Sequence, residues 1–414
     1  MDTKMLRCGL LGRKLGHSYS PAIHARLADY SYRLFEVEPE DLGAFLQEGA
    51  FDGLNVTIPY KKDVIPYCAE LSDTARAIGA VNTLVRRADG TLWGDNTDAY
   101  GFSMLVQSSG ADVAGKKALV FGSGGASATA QYVLRQLGAR EVVVISRHGE
   151  DNYENLDRHA DAQIAVNTTP VGMYPNTGVS PVDLHRLPRL EAALDVVYNP
   201  ARTEFLLQAE ARGLRRANGL LMLAAQAKKS CEDFTGEPVD DAKIFSITKA
   251  LEAQMHNVIL IGMPGSGKTT IGTLVAKRLG RTFVDADSAL EREAGMPIPE
   301  IFRREGEAGF RRRETAVLAE LGRQSGLVLA TGGGSVTREE NYPLLHQNGE
   351  IFCLQRALER LPSAGRPVSQ ALGAQTIYAQ RKPLYARFAD AMIDNNGTPE
   401  AAAAQILEVL GCSC

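Results

Sequence analysis

The chain has 414 residues, which exceeds the roughly 100–200 of a single domain, so we expect two or three hydrophobic cores. Hydrophobic residues make up 44% of the chain and charged residues 23%, and the net charge of −4 excludes a globally basic nucleic-acid or membrane binder. The six cysteines show no zinc-type spacing, and the sequence shows neither a signal peptide nor a long apolar run, so we expect a cytoplasmic protein.

Short apolar runs rich in β-branched residues alternate with amphipathic stretches along the chain. Examples of the runs are residues 118–121, 141–145 and 257–261. This alternation predicts an α/β fold with mostly parallel sheets. Glycine-rich turns follow two of the runs, at Gly122 and Gly262, and each turn needs a sheet of its own. The sequence therefore predicts two nucleotide-binding units.

The first quarter of the chain carries polar clusters beside short apolar runs. They read HSYSP at 17–21, NVTIPYK at 55–61, GAVNT at 79–83 and GDNTDAYG at 94–101. Taken singly, each cluster is explained by turn chemistry, since Asn, Ser, Asp and Gly are common turn residues. Polar clusters at strand ends are also what a ligand cleft requires.

The first glycine-rich turn reads GSGGAS over residues 122–127. An apolar strand precedes it, and a helix over 126–137 and a strand over 141–145 are predicted to follow, which completes a dinucleotide-binding βαβ unit. Arg147 comes just after the second strand, where the acidic residue that usually binds the ribose of NAD is lacking. This favours NADP(H), whose 2′-phosphate would pair with Arg147, although a solvated turn arginine is the alternative.

Together with NTTPVGM at 167–173, DVVYNP at 195–200 and AAQA around Gln226, these motifs resemble the shikimate dehydrogenase family over roughly residues 8–235. The resemblance implies reduction of 3-dehydroshikimate to shikimate with NADPH, and Lys61 and Asp98 as the catalytic pair. A lysine ammonium held by a carboxylate can protonate the alkoxide that forms on the ketone. The implied substrate-binding residues are Ser18, Ser20, Asn55, Thr57, Asn82, Tyr198 and Gln226, and the implied cofactor-binding residues are Gly122, Ser123, Gly124, Gly125, Ala126 and Arg147.

One departure from this family lies after Arg147. A short polar stretch leads to the next predicted strand, at 164–166, where relatives usually have an extra helix and strand. We expect a trimmed cofactor domain with weaker NADP affinity. Two alternatives stay open for this half, namely a preference for quinate or another ring acid, and a non-catalytic binding module.

The second glycine-rich turn reads GMPGSGKT over residues 262–269 and fits the P-loop pattern. It follows the apolar run 257–261 and precedes a predicted helix over 270–279. Backbone N–H groups and the helix N-terminus would hold the phosphates, while Lys268 reaches the β- and γ-phosphates and Thr269 binds Mg²⁺. No guanine-reading N-K-x-D motif follows. A small-molecule kinase is therefore favoured over a nucleotide-dependent switch.

Further motifs follow in the order of the shikimate kinase family, which this part resembles over essentially all of 256–414. They are DAD at 285–287, GEAGFRRRE at 306–314, TGGGS at 331–335, GRP at 365–367 and RKPLY at 381–385. Alone, they could be a solvated turn, a solvated helix face or a flexible loop. The segment after GRP lacks the usual apolar pair, which concerns the lid and not the activity.

The resemblance implies phosphorylation of shikimate at its 3-hydroxyl by Mg-ATP. Asp287 would contact the hydroxyls and act as a base, and Arg366, on a lid, would stabilise the phosphoryl group in transfer. The implied substrate-binding residues are Asp287, Arg311, Gly333, Gly334 and Arg381, the nucleotide-binding residues are Gly265, Ser266, Gly267, Lys268, Thr269 and Thr270, and the metal-binding residues are Thr269 and Asp285.

The expected organisation is therefore a shikimate dehydrogenase-like substrate domain at 1–101, completed by 219–250, a Rossmann-type NADP domain at 102–218, and a P-loop kinase domain at 256–414. The expected cofactors are NADP(H), ATP and Mg²⁺. The expected partners are the small-molecule substrates, with no nucleic acid and no membrane.

Overall fold

The computed structural model describes residues 5–16, 18–49, 51–361 and 373–411. By its internal contacts the chain divides into two compact units. The first comprises Met1–Gly172, Val179–Tyr198 and Phe205–Ala250, and the second comprises Met173–Gly178, Asn199–Glu204 and Leu251–Cys414. Among the described helices, none combines the length and the apolar character needed to cross a bilayer.

The first unit contains a six-stranded mixed sheet. Its strands are β1 (Arg7–Gly12), β2 (Ser31–Glu36), β3 (Gly53–Val56), β4 (Cys68–Leu71), β5 (Thr83–Arg86) and β6 (Leu92–Asp95), in the order β2-β1-β3-β5-β6-β4. β1 pairs in parallel with β2 and β3, whereas β5 runs antiparallel to both β3 and β6. The helices are α1 (Ser20–Leu27), α2 (Leu42–Glu48) and α3 (Asp73–Ile78). The prediction of mostly parallel sheets is therefore met only in part by this mixed sheet.

A second sheet in the same unit is fully parallel. Its strands are β7 (Lys117–Phe121), β8 (Glu141–Ile145), β9 (Ile164–Asn167), β10 (Ala192–Asp195) and β11 (Arg215–Ala217), in the order β11-β10-β9-β7-β8. The helices are α4 (Asp98–Ser109), α5 (Gly125–Gln136), α6 (Glu204–Ala211), α7 (Leu220–Thr235) and α8 (Ala242–Met255). Because α4 begins at Asp98, the proposed domain boundary at residue 101 falls inside one continuous helix.

The connection from β8 to β9 contains a single 3₁₀ turn, Leu156–His159, and no strand pairs with β8 on its outer side among the described residues. This connection thus contains neither an α-helix nor a β-strand, as expected from its length. Its effect on NADP affinity stays a prediction.

The second unit is built on another fully parallel sheet. Its strands are β12 (Asn257–Ile261), β13 (Phe283–Asp285), β14 (Val328–Ala330), β15 (Gly349–Gln355) and β16 (Ala391–Asp394), in the order β13-β14-β12-β15-β16. Its helices are α9 (Lys268–Leu279), α10 (Ala286–Ala294), α11 (Ile298–Gly322), α12 (Asn341–His346), α13 (Ala374–Phe388) and α14 (Pro399–Val409). All five residues of β12 are buried, as expected for a central strand that helices cover on both faces.

Candidate active sites

An ion pair lies at the start of α4 in the first unit. Asp98 is the first residue of this helix, and its Oδ2 accepts a 2.6 Å hydrogen bond from the Nζ of Lys61. The Lys61 side chain is 21% exposed and that of Asp98 is 12% exposed, so the pair is largely shielded yet still accessible. The structure thus brings together the two residues expected to be catalytic.

The glycine-rich turn lies beside this ion pair. A Cβ built on Gly125 would lie 3.8 Å from the Cδ of Lys61. Gly122 has φ +107°, and a side chain there would collide with Thr168 and Thr169, so only glycine fits. Gly124 caps the N-terminus of α5, where free backbone N–H groups and the helix dipole suit an anionic group such as a pyrophosphate.

The other residues of the turn are accessible. Ser123 is exposed and Ala126 is half-buried in the first turn of α5. Arg147 lies just after β8 and is exposed. Exposure is what we expect of a residue that binds a 2′-phosphate at the edge of the cofactor. The structure therefore places the turn and Arg147 at the ends of adjacent strands.

Two buried asparagines lie in the substrate part of the first unit. Asn55, in β3, is 4% exposed, and Asn82, just before β5, is 3% exposed. Gln226, in α7, is 9% exposed, and its Nε2 donates to the carbonyl of Leu223. Thr57 follows β3 and is half-buried.

The two predicted serines lie at the start of α1. Ser18 accepts a 3.2 Å hydrogen bond at its Oγ from the backbone N–H of Ser20. Between them, Tyr19 contacts Tyr198 edge to face, with ring centroids 6.1 Å apart. Burial raises the pKa of the Tyr198 hydroxyl, which keeps it a hydrogen-bond donor. This ring contact brings Tyr198 next to the segment that carries the two serines, although the two lie far apart in the sequence.

In the second unit, a cavity of about 650 Å³ lies at the carboxyl ends of the sheet strands. This is where parallel α/β sheets bind ligands. The predicted residues that line the cavity are Gly265, Gly267, Lys268, Thr269, Thr270, Asp285, Asp287, Arg311, Gly333, Gly334 and Arg381. Ser266 is fully buried behind this lining, and Arg366 lies outside the described residues.

The P-loop contributes a cation and a hydroxyl to this cavity. The Nζ of Lys268 donates to the carbonyls of Gly262 and Met263, at 2.9 and 3.2 Å. The hydroxyl of Thr269 donates to Oδ2 of Asp285 at 3.0 Å. The other oxygen of Asp285 caps α10 by accepting backbone N–H groups, so this carboxylate is held with one oxygen toward Thr269.

Asp287 lies deeper in the cavity. Burial, followed by the charges of Asp285 and Glu314, raises the pKa of its carboxyl to about 6. The site therefore raises the basicity of this group, a common property of catalytic carboxylates.

Two arginines also line the cavity. Arg311 is 8% exposed, and its Nη1 donates at 2.7 Å to Glu314, which is itself 2% exposed. Arg381 is also 8% exposed, and its Nη1 donates at 2.9 Å to the carbonyl of Gly333. Guanidinium groups held in this way are suited to a planar carboxylate.

The three glycines after β14 each face a different neighbour. A Cβ on Gly332 would lie 2.6 Å from Glu314 and 2.8 Å from Asp287. One on Gly333 would meet Pro264 at 2.6 Å, and one on Gly334 would overlap the guanidinium of Arg311 at 2.2 Å. Close packing around the cavity therefore requires glycine at all three positions, and the three glycines do not form a flexible turn.

Sequence reasoning missed three charged residues of this cavity, Glu291, Glu314 and Arg356. Glu314 is the last residue of the GEAGFRRRE motif and had no predicted role. Its carboxylate accepts a hydrogen bond from Arg311. Arg356 is the first residue after β15, and it lines the cavity close to Gly267. The position of Arg356 at the carboxyl end of a predicted strand could have identified it, because parallel sheets bind their ligands at that edge.

The site geometry agrees with comparisons to known proteins. The family model described as shikimate kinase matches residues 264–411, and the model of the shikimate dehydrogenase substrate binding domain matches residues 10–84. A shikimate dehydrogenase (NADP(+)) of Clostridium perfringens strain SM101 is 36% identical over 267 residues, covering 59% of this chain and 98% of that relative. The chain belongs to the shikimate dehydrogenase family.

Solved structures support the membership of this shikimate dehydrogenase part. Shikimate 5-dehydrogenase from Thermus thermophilus, in complex with NADP(H) and shikimate, has 34% identity and a TM-score of 0.55, over 59% of this chain and 99% of that one. Quinate dehydrogenase from Corynebacterium glutamicum, in complex with NAD, has 27% identity and a TM-score of 0.54, over 58% and 98%. With the kinase match at its other end, the chain is a bifunctional enzyme of the shikimate pathway.

Proposed function

We propose that the dehydrogenase part reduces 3-dehydroshikimate to shikimate with NADPH, and that the kinase part transfers a phosphoryl group from Mg-ATP to the 3-hydroxyl of shikimate. One observation carries the first half, namely the Lys61–Asp98 ion pair beside the dinucleotide turn. The second half rests on two buried arginines and Asp287 in the same cavity as the P-loop.

In the dehydrogenase, Lys61 would handle the proton. NADPH supplies the hydride, and the carbonyl oxygen of the substrate then gains negative charge. The ammonium group of Lys61 stabilises that charge and donates a proton to the oxygen. Asp98, 2.6 Å away, orients the ammonium group through a charge-assisted hydrogen bond. In the reverse direction, the same amine takes the proton back.

The dinucleotide would be held by backbone groups and by one side chain. The turn that begins at Gly122 leaves the N-terminus of α5 open, so its N–H groups can bind the pyrophosphate. Arg147 would pair with the 2′-phosphate that distinguishes NADPH from NADH. Its exposure at the end of β8 and the lack of an acidic residue there both support this choice.

In the kinase, Asp287 would accept the hydrogen bond of the 3-hydroxyl and, above pH 6, its proton. Arg311 and Arg381 would bind the substrate carboxylate, and Lys268 would neutralise charge on the transferring phosphoryl group. Thr269 and Asp285 offer a hydroxyl and a carboxylate oxygen 3.0 Å apart, a donor set that fits Mg²⁺. Mg²⁺ would neutralise phosphate charge. Arg366, which lies outside the described residues, would add a further positive charge.

The experiment for the dehydrogenase half is the decrease in nicotinamide absorbance when 3-dehydroshikimate is added with NADPH or NADH. Consumption of NADPH well above that of NADH supports the proposal, and no consumption of either refutes it. For the kinase half, formation of ADP should depend on shikimate and on Mg²⁺.

A second candidate for the dehydrogenase part is the oxidation of quinate. The similarity to quinate dehydrogenase favours it as the runner-up, since the same cleft of hydroxyls and amides would receive that ring acid. Comparison of the kcat/KM values for shikimate with NADP⁺ and quinate with NAD⁺ separates the two. We expect shikimate with NADP⁺ to be the better pair.

A further inference from the structure

Three hydroxyl groups form a buried triangle behind the substrate-binding residues of the dehydrogenase. They belong to Thr83 in β5, Thr97 just before α4, and Ser230 in α7, and each residue is at most 1% exposed. The oxygen atoms lie 3.1 Å apart for Thr83–Thr97, 3.1 Å for Thr83–Ser230 and 3.0 Å for Thr97–Ser230. We call this group the hydroxyl triad, and none of its members has a role in the proposed chemistry.

One backbone carbonyl fixes the direction of the hydrogen bonds at Ser230. Its hydroxyl lies 2.8 Å from the carbonyl oxygen of Gln226, which can only accept. Ser230 has one proton, so its Oγ can only accept from its other neighbours, and its two lone pairs allow two such hydrogen bonds. The group of Asn55 that lies 2.7 Å away is therefore the Nδ2 donor, and Oδ1 of Asn55 faces the hydroxyl of Tyr32 at 2.8 Å.

One backbone N–H fixes the direction at Asn82 in the same way. The amide N–H of Thr97 can only donate, so the atom that meets it at 2.7 Å is Oδ1 of Asn82. The same oxygen lies 3.1 Å from the hydroxyl of Thr83. One N–H of Nδ2 donates to Oγ1 of Thr97 at 3.1 Å, and the other has no partner among the described residues.

The carbonyl of Gln226 and the N–H of Thr97 thus set the direction of the hydrogen bonds at Ser230 and Asn82, and through Ser230 also at Asn55. Ser230 joins Asn55 on one side to Thr97 and Asn82 on the other. A half-turn of either amide would place two donors or two acceptors face to face, which is unfavourable in a buried site. The amide orientations of Asn55 and Asn82 are therefore set before any ligand binds.

We infer that Thr97 and Ser230 are positioning residues for the substrate, an inference that rests on the proposed function of the dehydrogenase part. Through them, Asn82 offers a free N–H to an oxygen of the ring substrate, and Asn55 offers an acceptor oxygen. The site therefore requires a substrate oxygen that accepts at Asn82. Pre-orientation spares the binding step the cost of ordering these amides.

The test compares Thr97→Val with Thr97→Ser. Valine keeps the shape of threonine and loses the hydroxyl, whereas serine keeps the hydroxyl. We expect Thr97→Val to raise the KM for 3-dehydroshikimate about tenfold with a smaller change in kcat, because the lost interaction acts mainly in binding. Thr97→Ser should stay within about threefold of the wild type, and the KM for NADPH should not change in either variant.

A second variant and a control address the fold. Ser230→Ala should raise the same KM about as much as Thr97→Val does. Thr235→Val is the control, since Thr235 lies in the same helix and its hydroxyl bonds the carbonyl of Cys231 outside the network. Urea unfolding of the first unit, followed by the fluorescence of Trp93 in β6, reports whether each variant is folded.

The outcomes separate this inference from the function on which it rests. An active wild type whose KM is unaffected by Thr97→Val and Ser230→Ala overturns the inference alone. Equal effects of valine and serine at Thr97 also overturn it, because the hydroxyl would then not matter. A wild type without any NADPH consumption overturns the proposed function and the inference with it.

Discussion

Arg311 and Arg312 are neighbours in sequence and lie in opposite environments. Arg311 is 8% exposed and lines the kinase cavity, whereas Arg312 points to solvent. An arginine run on a helix is ordinarily a solvated face, and only the packing of α11 against the sheet shows which of its members is internal. Gly334 makes this placement possible, because any side chain there would overlap the Arg311 guanidinium.

We predict that Arg311→Lys raises the KM for shikimate at least about tenfold. Lysine keeps the positive charge but cannot form the two parallel hydrogen bonds that a guanidinium makes with a carboxylate. Steady-state kinetics with varied shikimate at saturating ATP measures this KM. Arg312→Lys is the matched control, and an equal effect of both substitutions would show that Arg311 does not touch the substrate.

Lys61 allows a similar comparison in the dehydrogenase part. We expect Lys61→Gln to lower kcat for 3-dehydroshikimate reduction by about 10²–10⁴-fold, since a neutral amide neither stabilises an alkoxide nor donates a proton readily. The adjacent Lys62 is exposed, and Lys62→Gln should be nearly silent. A Lys61→Gln enzyme with ordinary kcat would remove Lys61 from the chemistry.

At the scale of elements, α1 carries a histidine whose charge state matters for stability. His24 is fully buried, its ring stacks on Tyr32 at 4.0 Å, and its Nδ1 lies 2.6 Å from the hydroxyl of Tyr30. Burial lowers the pKa of His24 to about 3. The unfolded chain binds a proton near pH 6.5, while the folded chain stays neutral there, so stability is lost as the pH falls below 6.5.

We therefore predict that His24→Phe makes the first unit less sensitive to acid. At pH 7.5 the variant should be less stable, because it lacks the hydrogen bond to Tyr30. The difference in the free energy of unfolding between the wild type and the variant should be smaller by about 2 kcal/mol at pH 5 than at pH 7.5. The single tryptophan, Trp93, lies in β6, so urea unfolding followed by its fluorescence reports this unit. A difference in unfolding free energy that does not change with pH would contradict the prediction that His24 stays neutral in the folded chain.

Several elements could be predicted because local sequence determines them. β12 was expected at Asn257–Ile261 and β8 at Glu141–Ile145, and both have those bounds, since continuous apolar runs suffice for buried parallel strands. α9 begins two residues before its predicted start because the P-loop lysine already belongs to the helix. The shortened crossover after Arg147 was also visible from spacing alone.

The hydrogen bonds inside the sites could not be predicted in this way. Asn55 and Ser230 are 175 residues apart and meet because α7 packs against β5 of the first sheet. Local motifs identified Asn55 but contained no trace of its partner. The same holds for the hydrogen bond between Thr269 and Asp285, which are 16 residues apart.

At the scale of the whole molecule, each proposed site is built from residues of one compact unit. The dehydrogenase and the kinase should therefore be separable by single substitutions. Shikimate would be the product of the first site and the substrate of the second, so one chain would carry out two successive steps.

The most direct test of this account incubates the purified chain with 3-dehydroshikimate, NADPH and Mg-ATP, and follows nicotinamide absorbance together with the mass of the products. We predict consumption of NADPH and formation of shikimate 3-phosphate in equal amounts, with shikimate accumulating when ATP is left out. Formation of shikimate 3-phosphate from added shikimate but no NADPH consumption from 3-dehydroshikimate would contradict the account, and would reduce the first unit to a binding module.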